Sequence, residues 1–284
     1  MTVHRPTGLD AALDLLADRS PGHPLLPIAG GTDLLVHWPQ KIDHHGRDSL
    51  DLLGIDALRR LRWSDDGLEL GALATYWDVI VDSQVGDAFP LLAEAARQVG
   101  AIQIQSRGTW AGNVVNGSPA ADGVPVLMAY DATVVLASRA GRREIPLDAF
   151  YTGYRESVRR PDELVVAIRL PQRRHALQRF VKVGPRRAQA IAKVGLAVTR
   201  SDDAGWRVVA ASVAPTVRRC PTVEARLEAG PPPAAPEDLE AALGADVSPI
   251  DDVRSTARYR SRVLARVLYD AVLPAGEAAT KAGR

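Results

Sequence analysis

Cysteine is nearly missing from this sequence: Cys220 stands alone among 284 residues. An iron-sulfur cluster normally takes four thiolates and a structural zinc two or more, so the chain can hold neither by itself. A disulfide within the chain is excluded as well, which fits a reducing compartment and predicts a cytoplasmic protein. Cys220 reads as a small, partly buried side chain, with no histidine or helix start beside it to favour a thiolate. Excess charge is equally scarce. Lysine plus arginine number 35 against 34 aspartate plus glutamate, a net of +1, so no global field attracts nucleic acid or an anionic membrane. Paired arginines such as Arg142-Arg143 and Arg159-Arg160 are read as solvated surface. No run approaches the ~20 apolar residues of a membrane span, and Met1 to Asp10 lacks the pattern of a secretory signal. The GxGxxG and GxxxxGK[ST] nucleotide signatures are missing, as is the H-E-x-x-H spacing that would give His44-His45 a metal role. Ser118 is not in a G-x-S-x-G turn. No metal ligand and no catalytic residue is assigned.

What is present is a mixed, α+β pattern long enough for two domains. Leu9, Ala12, Leu13, Leu16 and Ala17 recur at helical spacing, followed by the apolar run Leu25 to Ile28 and the pair Gly30-Gly31. Thr32 and Asp33 are helix-capping types, ahead of Leu34, Leu35 and Trp38, which are placed to face a core. Short strands are predicted at Leu50 to Leu52 and Leu68 to Ala72. Thr75 caps a helix through Trp77, Ile80 and Val81, and Pro90 opens another that ends at Gly100. Residues 106–123, rich in Gly, Ser, Asn, Asp and Thr, read as a functional loop. A short buried helix from Pro125 to Ala129 and strands at Thr133 to Ala137 and Glu163 to Leu170 follow. Beyond residue 175, Phe180 to Val183, Ile191 to Val198 and Arg207 to Val213 predict one antiparallel sheet. The proline-rich segment from Gly230 to Pro236 is an exposed connection. A last helix runs from Asp252 to about Val272, presenting Val253, Val263, Val267, Leu268 and Ala271.

Two loops carry the chemistry. Ala29-Gly30-Gly31-Thr32-Asp33-Leu34, after Ile28, offers consecutive N–H groups with no Cβ to block approach, which suits a diphosphate at a helix start. About 80 residues later, Thr109-Trp110-Ala111-Gly112-Asn113 followed by Ser118-Pro119-Ala120-Ala121-Asp122 repeats that chemistry. Together they resemble the FAD-binding subunit of the xanthine dehydrogenase and carbon monoxide dehydrogenase family of molybdenum hydroxylases. Phe180-Val181-Lys182 followed by Arg187 and Ile191-Ala192-Lys193-Val194, then Ser212-Val213-Ala214-Pro215-Thr216 and the run Asp252 to Arg260, extend the resemblance over almost the whole chain. Ala111 stands where many relatives have glycine, so it must keep an ordinary backbone conformation. Thr32-Asp33 and Asn113 also differ from the pattern of carbon monoxide dehydrogenases and are closer to that of N-heterocycle or purine hydroxylases. One cysteine excludes the variant that carries an extra four-cysteine cluster.

The resemblance implies a two-part FAD-binding domain of the vanillyl-alcohol-oxidase (PCMH) type over residues 1–172, with subdomains of about 1–55 and 56–172. It implies a smaller α+β C-terminal domain with an antiparallel sheet over 175–274; residues 275–284 are expected to be a disordered tail. It implies FAD as cofactor, with Ile28, Ala29, Gly30, Gly31, Thr32, Asp33, Leu34, Thr109, Ala111, Gly112, Asn113, Ser118, Asp122, Val165 and Lys182 as its contacts. Lys182 would sit near the flavin ring and stabilise its anionic reduced form; the competing reading is a solvated strand lysine. Trp110 is a candidate for flavin or adenine contact against a core role. The implied partners are a [2Fe-2S] small subunit and a molybdopterin large subunit, as two trimers in a heterohexamer, with NAD among the possible acceptors. A self-contained FAD oxidoreductase and a non-redox nucleotide-binding module are the competing functions.

Overall fold

Apolar runs without alternation become central strands, and alternating runs become edges, in a computed structural model that describes residues 2–19, 25–36, 48–186 and 189–273. Trp38, His44, His45, Arg187 and the expected tail at 275–284 lie outside the described residues. Thr133–Ser138 and Leu164–Pro171 are buried almost throughout and sit side by side, as strands covered on both faces must. The outer strands of the same five-stranded antiparallel sheet, Leu61–Ser64 and Gly141–Pro146, alternate between half-buried and exposed positions. The second edge carries Arg142, Arg143 and Glu144, charges that discourage pairing with another chain.

The sheet belongs to the first of two compact units, formed by Met1–Gly117 with Asp131–Gln172. A three-stranded parallel sheet in the same unit has Ser49–Asp51 at its centre, flanked by Val3–His4 and Leu26–Ile28. Helices Leu9–Ala17, Tyr76–Val81, Ser83–Ala88 and Pro90–Gln98 belong to the same unit. Thr75 forms a full capping box with Asp78, accepting from its N–H at 3.1 Å while the Asp78 carboxylate accepts from the Thr75 N–H at 2.8 Å. Gly100, at φ +51°, lies in the left-handed region just past the helix Pro90–Gln98 and its cap Val99.

The region expected as an 18-residue loop, 106–123, holds a seven-residue helix and is preceded by another. Ile102–Gln105 is a short helix, and Trp110–Asn116 is a second one capped by Thr109 and closed by left-handed Gly117 at φ +60°. Polar composition concealed it because the inward positions are Trp110, Ala111 and Val114, three residues in two turns. Two smaller corrections concern exposure. Leu35 is 64% exposed while Leu34 is half-buried, since successive helical residues point about 100° apart. Val253 is fully exposed ahead of the last helix, which runs Ala257–Val272 with Thr256 as its cap.

The second unit joins Ser118–Tyr130 to Arg173–Arg284. Its antiparallel sheet has the order His175–Val183, Val194–Ser201, Gly205–Ala211, Arg218–Arg219. Two differences from the sequence pattern stand out: the first strand starts five residues earlier than expected and a short fourth strand is added. The core gathers Val194, Leu196, Val198, Val208 and Ala210 from the strands with Leu243, Leu264 and Leu268 from the helices. Ser118–Tyr130 joins this unit although it precedes residue 172. Every residue of its helix, Gly123–Ala129, is buried. The main-chain oxygen of Ala129 accepts from Thr199 Oγ1 at 2.8 Å, and that of Pro119 from the Ser212 N–H at 2.7 Å.

Candidate functional site

The first glycine loop leaves the strand Leu26–Ile28 and enters the five-residue helix Thr32–Val36. Gly31 has φ +69°, a conformation that costs a Cβ-bearing residue about 1–2 kcal/mol. Gly30 is required for a different reason: a Cβ there would overlap the Arg107 carbonyl oxygen. The missing side chain lets the first loop lie directly on the Arg107-Gly108 main chain that leads into the second. Further bonds fix that second loop. Thr109 pairs with Thr75 as an isolated bridge, the Trp110 N–H donates to the Ala74 oxygen at 3.1 Å, and the Tyr76 N–H donates to the Gly108 oxygen at 3.2 Å. Asn116 Nδ2 donates to Asp33 Oδ1 at 3.1 Å, linking the two loops directly. The Tyr151 hydroxyl donates to the Val114 oxygen at 2.9 Å, and burial raises its pKa far above the usual phenol range.

Between the loops lies a cleft of about 490 Å³. Ile28, Ala29, Gly30, Gly31, Thr32, Asp33, Leu34, Thr109, Ala111, Gly112, Asn113 and Val165 all line it. Val165 borders a register shift in its strand pairing, between Val165 and Ala167; such bulges commonly re-aim side chains beside sites. Ser118, Asp122 and Lys182 belong to the second unit. There Lys182 is 6% exposed and its Nζ donates to Asp122 Oδ2 at 2.6 Å, so the solvated-lysine reading does not hold. Ser118 Oγ accepts from the Ala120 N–H at 3.3 Å. Trp110 is fully buried, with its ring 4.9 Å from that of Tyr76, and is not a lining residue.

The two loops are not equivalent donors. The Gly112 N–H is already held by Thr109 Oγ1 at 3.0 Å and the Asn113 N–H by the Thr109 oxygen at 3.0 Å. The N–H groups of Gly31, Thr32 and Asp33 meet no acceptor among the described residues, as the first turn of a helix leaves them. What the second loop offers instead is Asn113 Oδ1, buried and without a hydrogen-bond partner among the described residues. Sequence reasoning missed Asn116, Tyr76, Arg159 and Glu163 as cleft residues. Arg159-Arg160 was legible only as a charged pair, with nothing local to show that one member turns inward.

Comparison with known proteins gives this geometry a family. The profile of the FAD binding domain in molybdopterin dehydrogenase matches residues 1–173, and that of the CO dehydrogenase flavoprotein C-terminal domain matches 179–275. The xanthine dehydrogenase FAD-binding subunit of Escherichia coli O157:H7 is 30% identical over 97% of both chains. The carbon monoxide dehydrogenase medium chain of Hydrogenophaga pseudoflava is 28% identical, covering 95% of this chain and 94% of the relative. Among solved structures, carbon monoxide dehydrogenase from Hydrogenophaga pseudoflava superposes with a TM-score of 0.86 at 27% identity, over 96% of each chain.

The chain belongs to the family of FAD-binding domains of molybdopterin dehydrogenases. It is the FAD-binding subunit of a molybdenum hydroxylase of the xanthine and carbon monoxide dehydrogenase type, an oxidoreductase subunit whose cofactor is FAD. The residues present fit that cofactor. The cleft has the volume range of cofactor sites, one wall offers unclaimed N–H donors to an anion, and Asn113 Oδ1 is a buried acceptor that needs a donor from elsewhere. Among the described residues, no group of three His, Cys, Asp or Glu side chains converges as a metal site, and no helix is long and apolar enough to cross a membrane.

Proposed function

We propose that this subunit carries electrons from the [2Fe-2S] clusters of a small partner subunit, through FAD, to an external acceptor such as NAD. The observation that carries the reading is a cleft lined by both glycine loops, with N–H groups on one side and the Asn113 oxygen on the other that meet no partner among the described residues. FAD supplies the ability to take up electrons singly and pass them on in pairs, and the protein supplies binding, orientation and electrostatics. In this reading Gly31, Thr32 and Asp33 give their main-chain N–H groups to the diphosphate. Asn113 accepts from a hydroxyl of the ribityl or ribose chain. Gly30, Asp33 and Asn116 hold the two loops at the spacing the cofactor requires. The apolar lining, including Ile28, Leu34, Leu164 and Val165, excludes water from the rest of the dinucleotide.

The medium-chain relatives support a place within a larger complex with small and large subunits. We assign the chain to a cytoplasmic heterohexamer of two trimers, with a domain of the vanillyl-alcohol-oxidase type followed by the smaller C-terminal domain. Lys182 is assigned to tuning of the flavin; a Lys182→Met protein that binds FAD normally and keeps the wild-type reduction potential removes that role. The test of the whole reading is reconstitution. Yellow, FAD-loaded protein should stay oxidised with organic substrates alone and be reduced once iron-sulfur and molybdenum subunits are added. Reduction by substrate without partners favours a self-contained oxidoreductase, and a chain that stays colourless with added FAD favours a non-redox module.

A further inference from the structure

Three arginines surround Glu163, and they are used differently. Arg143 makes two bonds to the carboxylate, at 2.6 and 2.9 Å. Arg160 contributes its main-chain N–H at 2.7 Å and its guanidinium at 3.0 Å. Arg159 takes neither oxygen of that carboxylate. Its Nη1 donates to two main-chain oxygens, that of Arg160 at 3.1 Å and that of Glu163 at 2.8 Å. The guanidinium is half-buried, and burial lowers its pKa from the ordinary arginine value.

Among the described residues that line the cleft, Arg159 is also the one cation. The two acids of the lining are engaged elsewhere: Asp33 accepts from Asn116, and Glu163 is closed by Arg143 and Arg160. A guanidinium has five N–H donors in one rigid plane, and the bonds Arg159 makes among the described residues use Nη1 alone. Holding a half-buried cation without a bonded carboxylate carries part of the cost of desolvation, which a ligand of opposite charge offsets. A dinucleotide diphosphate brings negative charge into the same cleft, where the first glycine loop offers only neutral N–H donors. Each side lacks what the other has.

We propose that Arg159 is the cleft's counter-ion for the anionic ADP half of FAD, and so a determinant of its preference for a diphosphate dinucleotide over a flavin without one. The inference rests on the FAD reading and goes beyond it by naming the residue that neutralises the ligand. Tethering through Nη1 pre-organises the cation, so little side-chain entropy remains to be lost on binding. Neutralisation by a partly buried arginine also makes the affinity depend on ionic strength.

The test is an equilibrium titration of the flavin-free, full-length chain with FAD, ADP and riboflavin at low and high salt. Arg159→Leu is expected to weaken FAD and ADP by a common factor, about tenfold to a hundredfold. It should leave riboflavin binding unchanged and flatten the salt dependence for FAD. Arg159→Lys keeps the charge and should recover part of the loss, and matching thermal melts show that the variants are folded. The proposal is overturned if Arg159→Leu binds FAD and ADP as the wild type does. It is equally overturned if riboflavin binding falls in step with the other two, or if a folded Arg159→Lys loses as much as Arg159→Leu. A wild-type chain that binds neither FAD nor ADP overturns the cofactor reading itself, and this inference with it.

Discussion

At Glu163, hydrogen bonds from Arg143 hold the carboxyl at a pKa of about 2, against the usual 4.5, with the Arg160 N–H adding to the effect and burial opposing it. Below pH 4.5 the unfolded chain therefore takes up a proton that the folded chain does not. The stabilisation from Glu163 is complete above about pH 4.5 and is lost as the pH falls toward 2. Urea midpoints of wild type and Glu163→Gln should differ most at pH 7 and converge on acidification; a constant difference contradicts this. Asp122 behaves in the opposite sense. Burial raises its pKa from 3.8 to about 6, with Lys182 pulling the other way. Its contribution is fully present below about pH 3.8 and declines as the pH rises through 6, because here the folded state binds more protons. Asp122→Asn should remove that part of the pH dependence, measured by the same midpoints between about pH 4 and 7. Lys182→Met should move the Asp122 pKa higher still, which a carboxyl-resolved NMR titration reads directly.

Between elements, Arg260 ties together segments far apart in sequence. It is buried, and its Nη1 donates to the main-chain oxygens of Ser212 at 2.5 Å and Lys193 at 3.3 Å while Nη2 donates to Asp252 Oδ1 at 2.7 Å. Ser212 has φ +65°, a strained conformation for a residue with a Cβ, which persists only where its surroundings over-determine it. Here its N–H donates to the Pro119 oxygen, its hydroxyl donates to the Ala192 oxygen at 3.0 Å, and its own oxygen accepts from Arg260. Arg260→Leu leaves those oxygens unsatisfied and should cost about 3–5 kcal/mol of unfolding free energy, read from denaturant curves; a loss below about 1 kcal/mol contradicts the tie. The runs Ser212 to Thr216 and Asp252 to Arg260 were legible in the sequence as signatures, but not what they do. A motif shows which residues recur together, whereas the strain at Ser212 and the three hydrogen bonds that hold it there exist only once the chain is folded. The same limit hid the helix Trp110–Asn116, which is short, carries Gly112 and two asparagines, lies between polar flanks, and is held by the tertiary burial of Trp110 and Val114. The strands at Thr133–Ser138 and Leu164–Pro171 were readable because long apolar runs leave few alternatives.

Over the whole molecule, a site is built from two short segments some 80 residues apart, and glycine is what lets them meet. Their composition was visible in the sequence; their division of labour was not, because Thr109 occupies the Gly112 N–H and leaves the second loop an acceptor rather than a donor. Gly30 sets how closely the loops approach, and Asn113 supplies the oxygen on the far wall. The most direct measurement of this arrangement is a double-mutant cycle on FAD affinity in the flavin-free chain, using Gly30→Ala and Asn113→Ala with the wild type and the double variant. One FAD per wild-type chain is predicted, with each substitution weakening binding about tenfold or more and the pair losing a different factor from the product of the two, because Gly30 sets the spacing of the loops on which the Asn113 contact with the same ligand depends. Wild-type affinity retained in the double variant would contradict the account.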